Sequence, residues 1–111
     1  MAIEISVTLT DDNSAEILKE LGSAAEKAFE MIGLQGEGYA KRLCPVDTGR
    51  LRNSITHDKD SEAAYIGTNV EYAAYVEFGT NKTKQQPYLR PAAEDHADEY
   101  MEIFRACLSD A

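Results

Sequence analysis

Apolar residues alternate at the start of the chain. Ile3, Ile5, Val7 and Leu9 fall on one side, and Glu4, Ser6 and Thr8 on the other. Period two predicts a half-buried strand over Ala2 to Thr10. Asp11-Asp12-Asn13-Ser14 follows with turn and N-cap chemistry, since its side-chain oxygens can bond the free amides of a helix start. The period then changes. Leu18, Leu21, Ala25, Ala28, Ile32, Tyr39 and Leu43 recur at helical spacings, and Lys19, Glu20, Glu26, Lys27 and Glu30 fall elsewhere on the wheel. An amphipathic helix is predicted from about Ser14 to Leu43. Such a helix would be about 45 Å long, against a diameter of roughly 34 Å for a compact domain of this size. It should therefore bend, break or project. Gly33, Gly36 and Gly38 mark the bending points, because glycine is a poor helix former.

Pro45 ends this helix, lacking an amide hydrogen and restricting the residue before it. Asp47, Thr48 and Gly49 then read as a structural turn together with Pro45. Leu51 and Asn53 to His57 read as an extended stretch, Asp58 to Ser61 as a charged hairpin loop, and Ala63 to Thr68 as the return strand. Asn69 can cap a short helix carrying Tyr72, Ala73, Tyr75, Val76 and Phe78, closed by Gly79. Thr80 to Gln86 holds no apolar residue and reads as an exposed, mobile loop. Pro91 suits a first helical turn, and a last helix is predicted from about Pro91 to Ser109. The order predicts an α+β fold. A small, mainly antiparallel sheet of three to four strands packs against the long N-terminal helix and the C-terminal helix. With 111 residues, the chain is expected to form a single domain over 1–111.

Charge adds an asymmetry. The chain carries 20 acidic and 11 basic side chains, a net charge of −9. Acids dominate both ends, and residues 41–60 form the only stretch with more bases than acids. Sequence-specific or backbone-directed nucleic-acid binding is not expected of so acidic a chain. No apolar run is long enough for a membrane span. Lys41, Arg42, Arg50 and Arg52 either pair with the protein's own acids or form a contact face for an acidic partner.

Catalytic chemistry finds little footing. Asp47-Thr48-Gly49 matches the triplet of dimeric aspartic proteases, but a charged helix and Pro45 precede it where those enzymes have an apolar strand. Cys44 reads as a buried structural thiol, and His57 and His96 as residues of polar faces. Asp95, His96 and Glu99 have helical spacing but read as a solvated face rather than a metal clip. No catalytic, cofactor or metal residue is expected. The Tyr72, Tyr75 and Phe78 series, joined by Tyr88, reads as an aromatic packing cluster; the other reading is a partner-binding patch.

Two long stretches carry a resemblance. One is Pro45-Val46-Asp47-Thr48-Gly49-Arg50-Leu51-Arg52-Asn53-Ser54-Ile55. The other runs from Val70 to Thr80 (VEYAAYVEFGT) and is followed after a polar loop by Gln86-Pro87-Tyr88-Leu89-Arg90-Pro91-Ala92. Together they resemble the gene-ten-like family of lambdoid phages, small tail components of the head–tail joining or tail-completion group. The resemblance implies a non-enzymatic structural protein of a phage or prophage without cofactors. It would act in the neck or tail of the virion through contacts with other phage proteins, as part of an oligomeric ring. It would pass through the host cytoplasm during assembly. On that reading Arg50, Arg52, Lys82, Lys84, Gln85 and Gln86 are the expected protein interface, and Tyr88 to Pro91 lock the end of the loop onto the sheet. The competing reading is an acidic soluble binding module or regulator of a basic partner.

Overall fold

A computed structural model describes residues 1–5, 20–45, 49–60, 62–82 and 84–109. Its elements are β1 (Ala2–Ile5), α1 (Ser23–Leu43), α2 (Arg50–Ser54), β2 (Thr56–Lys59), β3 (Ala64–Gly67), α3 (Ala73–Phe78), α4 (Leu89–Glu94) and α5 (Ala97–Ser109). The fold is α+β, as the periodicities predict. β3 lies between β1 and β2 and pairs antiparallel with both. Ile66 sits opposite Ile3 on one side and His57 on the other. Alternation therefore places Ile3, Ile5, Ala64, Ile66 and His57 on the face that meets α1. Ala2, Glu4, Thr56, Asp58 and Tyr65 lie on the other face.

The long helix differs from expectation in where it breaks. Glu20 and Leu21 are helical, but Gly22 takes φ 54° and interrupts the run. From Ser23 the helix continues unbroken for 21 residues, about 31 Å, and the molecule measures 48 × 24 × 21 Å. The glycines at 33 and 36 do not bend it. They let the sheet approach. A Cβ on Gly36 would lie 2.7 Å from Ile5 Cδ1, and one on Gly33 would lie 3.0 Å from His57 Cδ2. Gly38 faces open space. The predicted strand beyond Ile5, the N-cap segment 11–14 and the helical start at 14–19 lie outside the described residues.

Two more elements depart from the pattern. The stretch after Gly49 is first a helical turn, α2, and only then a strand. Gly49 at φ 82° starts this turn, and its carbonyl accepts the Asn53 amide at 2.9 Å. The predicted C-terminal helix is two helices, because the chain turns at Asp95-His96. Tyr100 then reaches back, its hydroxyl donating to the Ala92 carbonyl. The core lies between α1, the sheet, α4 and α5. Phe29, Ile32, Ile66, Tyr88, Leu89, Tyr100 and Phe104 are all fully buried, and Phe29 meets Phe104 at 5.5 Å between ring centroids.

Candidate functional site

The two long sequence stretches meet at the C-terminal end of α1. Cys44 leaves the helix in extended conformation, and Pro45 follows. Asp47 and Thr48, expected in the turn, lie outside the described residues. Pro45, Gly49, Arg50 and Leu51 form one wall of an open groove of about 590 Å³. Tyr72, Tyr75 and Val76 form the second wall, and Thr80, Lys84 and Gln86 close the rim. The lining is mainly apolar, with polar side chains at the rim.

α3 divides its residues sharply. Ala73 and Glu77 are buried and Val76 half-buried, whereas Tyr75 is 63% and Phe78 56% exposed. The expected aromatic cluster therefore separates. Tyr88 is fully buried and Tyr72 half-buried, while Tyr75, which lines the groove, and Phe78, three residues further along α3, face solvent. Leu34 on α1 is a further large exposed apolar side chain.

Glu77 holds this region together, and hydrophobic periodicity gave no sign of it. Its carboxylate is 2% exposed. It accepts the amide hydrogens of Tyr88 at 3.1 Å, Leu89 at 2.8 Å and Arg90 at 3.3 Å. These are donors at the start of α4, where no carbonyl of the helix itself can satisfy them. The glutamate caps the helix from across the loop, with a charge suited to that end. The Tyr88 hydroxyl adds a bond to the Ala73 carbonyl at 3.2 Å, and the Gln86 amide bonds Val76 O at 2.8 Å. The far end of the 80–86 loop is thus fastened to α3 rather than to the sheet. The one sequence signal was a glutamate between Val76 and Phe78, an acid inside an apolar run.

The basic residues behave in two ways. Arg50 makes a two-pronged pair with Glu71 at 3.1 and 3.0 Å and stands over the Tyr72 ring. Lys41 bonds Glu37 at 3.3 Å, and Arg42 lies 5.4 Å from the Tyr39 ring centroid. Among the described residues, no ion pair joins Arg52, Lys82 or Lys84 to a carboxylate. These three are exposed, as are Gln85 and Gln86.

The remaining reactive side chains are engaged in packing. Cys44 is buried, which pushes its thiol pKa up despite nearby Arg52, so the nucleophilic thiolate is disfavoured. His57 lies between Glu30 at 2.7 Å and Glu37 at 3.0 Å. His96 stacks on Tyr39 with centroids 3.6 Å apart, and the Tyr39 hydroxyl bonds Glu99. Among the described residues, no three His, Cys, Asp or Glu side chains could hold a metal ion. Nor is any described helix long and apolar enough to cross a membrane.

Fold and groove together define a small α+β domain with an open, mainly apolar groove at the C-terminal end of α1. Residues 9–79 match the model of the family described as "Bacteriophage HK97-gp10, putative tail-component". The chain belongs to this phage tail-component family, in agreement with the resemblance in its motifs. No curated protein and no solved structure matches the chain at a significant level.

Proposed function

We propose that the chain is a non-enzymatic structural protein that joins head to tail or completes the tail, acting in an oligomeric ring through the groove end of the molecule. The family membership gives the tail-component role. The observation that carries the finer reading is the open apolar groove lined by exposed Tyr75, with exposed Phe78 three residues further along α3. A monomer gains nothing by leaving two large rings in water. Covering them offers a favourable free energy on assembly, roughly 1.5–3 kcal/mol per fully buried large apolar side chain. The polar rim (Lys84, Gln86 and neighbouring Lys82) would set which partner fits. Virion location and contacts with other neck or tail proteins follow from this reading.

The test is complementation of particle assembly by Tyr75→Ser/Phe78→Ser. Both side chains are exposed, so the isolated variant should keep its fold and melting temperature. Infectious-particle yield should fall at least about tenfold, the effect of losing 1.4 kcal/mol of contact. An unchanged yield would contradict the assignment of this surface.

A further inference from the structure

Two charged surfaces stand at opposite ends of α1. The groove end carries Arg52, Lys82 and Lys84, none paired with a carboxylate among the described residues, in a chain whose net charge is −9. The other end is the β2–β3 hairpin tip, with exposed Asp58, Asp60 and Glu62. A bond of 2.8 Å between Lys59 and Glu26 ties this tip to the start of α1. Glu26 and Leu43 are about 26 Å apart along the helix. That exceeds the Debye length of about 8 Å at physiological ionic strength, so the two surfaces cannot neutralise each other within one copy.

The geometry points to a second copy of this chain as the occupant of the groove end, presenting its acidic hairpin tip to Lys84 on the groove rim, with exposed Lys82 in the same loop and exposed Arg52 on α2 as further cations. This rests on the ring reading above and supplies its interface. The contact is heterologous: a different surface is used on each side, so repetition generates a ring if the rotation closes. Asp60 braces the hairpin end: it accepts the Glu62 and Ala63 amides at 2.8 and 2.9 Å and the Tyr65 hydroxyl at 2.9 Å. A preordered turn loses little entropy on docking. Asp58 and Glu62 have no ion-pair partner among the described residues, so they are available to face lysines.

The experiment is light scattering after size exclusion, from micromolar to near-millimolar protein and from about 0.01 to 1 M ionic strength. The native chain should associate at low salt and dissociate at high salt. Lys82→Glu/Lys84→Glu and Asp58→Lys/Glu62→Lys should each weaken self-association at least about tenfold. All four side chains are exposed, and circular dichroism checks that both variants fold. Mixing the two variants should restore a complex, because the acidic rim of one now faces the basic tip of the other. A native chain that stays monomeric throughout would overturn the inference. So would association that survives both charge reversals, or variants that remain apart when mixed. None of these results touches the tail-component role, which the assembly test above addresses separately.

Discussion

α1 handles its charges differently where it meets β2 and where it reaches the groove. Where it meets β2, Glu26 takes Lys59, and Glu30 and Glu37 close on the two ring nitrogens of His57. Ionised carboxylates only accept hydrogen bonds, so this setting favours the imidazole with hydrogen on both ring nitrogens and raises its pKa. Gly33 allows this by removing the side chain that would strike the ring. At the other end, Arg52, Lys82 and Lys84 face water, and Tyr75 and Phe78 are left uncovered. Charges answered within the chain fix the helix on the sheet, whereas the exposed cations beside the groove are, on the proposal above, the part that would meet another molecule.

Glu77 offers the sharpest way to break this division, because it is a charge at the groove end that is fully answered. Glu77→Ala would leave three buried amide donors without a partner. The expected loss is roughly 3–5 kcal/mol, read by urea denaturation, with the groove end fraying first in amide hydrogen exchange. Glu77→Gln keeps one accepting oxygen and should lose less than half as much.

Next in size is a pair of glycine substitutions with opposite signs. A Cβ on Gly67 would lie 2.5 Å from the Met1 carbonyl oxygen and 3.0 Å from Ala2 Cα. Gly67→Ala must therefore push β1 off β3, at about 1–3 kcal/mol. Gly38→Ala meets nothing within 4 Å and should stabilise α1 by about 1 kcal/mol. Thermal melts of both proteins check the signs. If Gly67→Ala is neutral, the close pairing of β1 with β3 is wrong.

The His57 clasp gives a smaller effect with a definite pH dependence. Burial pushes the His57 pKa down, but the bonds and charges of Glu30 and Glu37 outweigh it, and the net shift is upward from 6.5. Burial likewise pushes Glu37 up, but His57 and Lys41 outweigh it, and its pKa falls below 4.5. A raised histidine stabilises fully below 6.5 and loses that contribution as pH rises through its folded value. A lowered glutamate stabilises above 4.5 and loses its contribution as pH falls through its folded value. Both contributions are complete between about pH 4.5 and 6.5. The urea midpoint should be highest there and fall towards pH 8, and His57→Gln should flatten the alkaline limb. The smallest effect belongs to Arg50→Ala. Its pair with Glu71 is exposed, so the melting temperature should not change measurably.

Sequence reasoning reached the parts governed by period. The strand start, most of α1, the hairpin and α3 follow from spacing and turn residues. It misplaced the break in the long helix because glycine inside a helix signals either bending or close packing. Only the position of Ile5 and His57 in space decides for packing at Gly36 and Gly33. It read Arg50–Ser54 as extended because so short a helical turn has no period. It read one C-terminal helix where His96 and Asp95 allow a turn. At the groove it found Arg50, Lys84, Gln86, Tyr72 and Tyr75, and the structure brings all five together. It grouped Tyr72, Tyr75 and Phe78 as one face, while the core takes Ala73 and Glu77 instead. A buried carboxylate whose partners are backbone amides eleven to thirteen residues away leaves no pattern in side-chain spacing.

The central claim is that the groove end of this tail component is covered in the assembled particle. Hydroxyl-radical footprinting tests it by comparing the free chain with the chain in assembled particles. Tyr75 and Phe78 should oxidise readily in the free chain and be protected several-fold in the particle, while Tyr88 stays unreactive in both. Equal oxidation of Tyr75 and Phe78 in the two states would contradict the account.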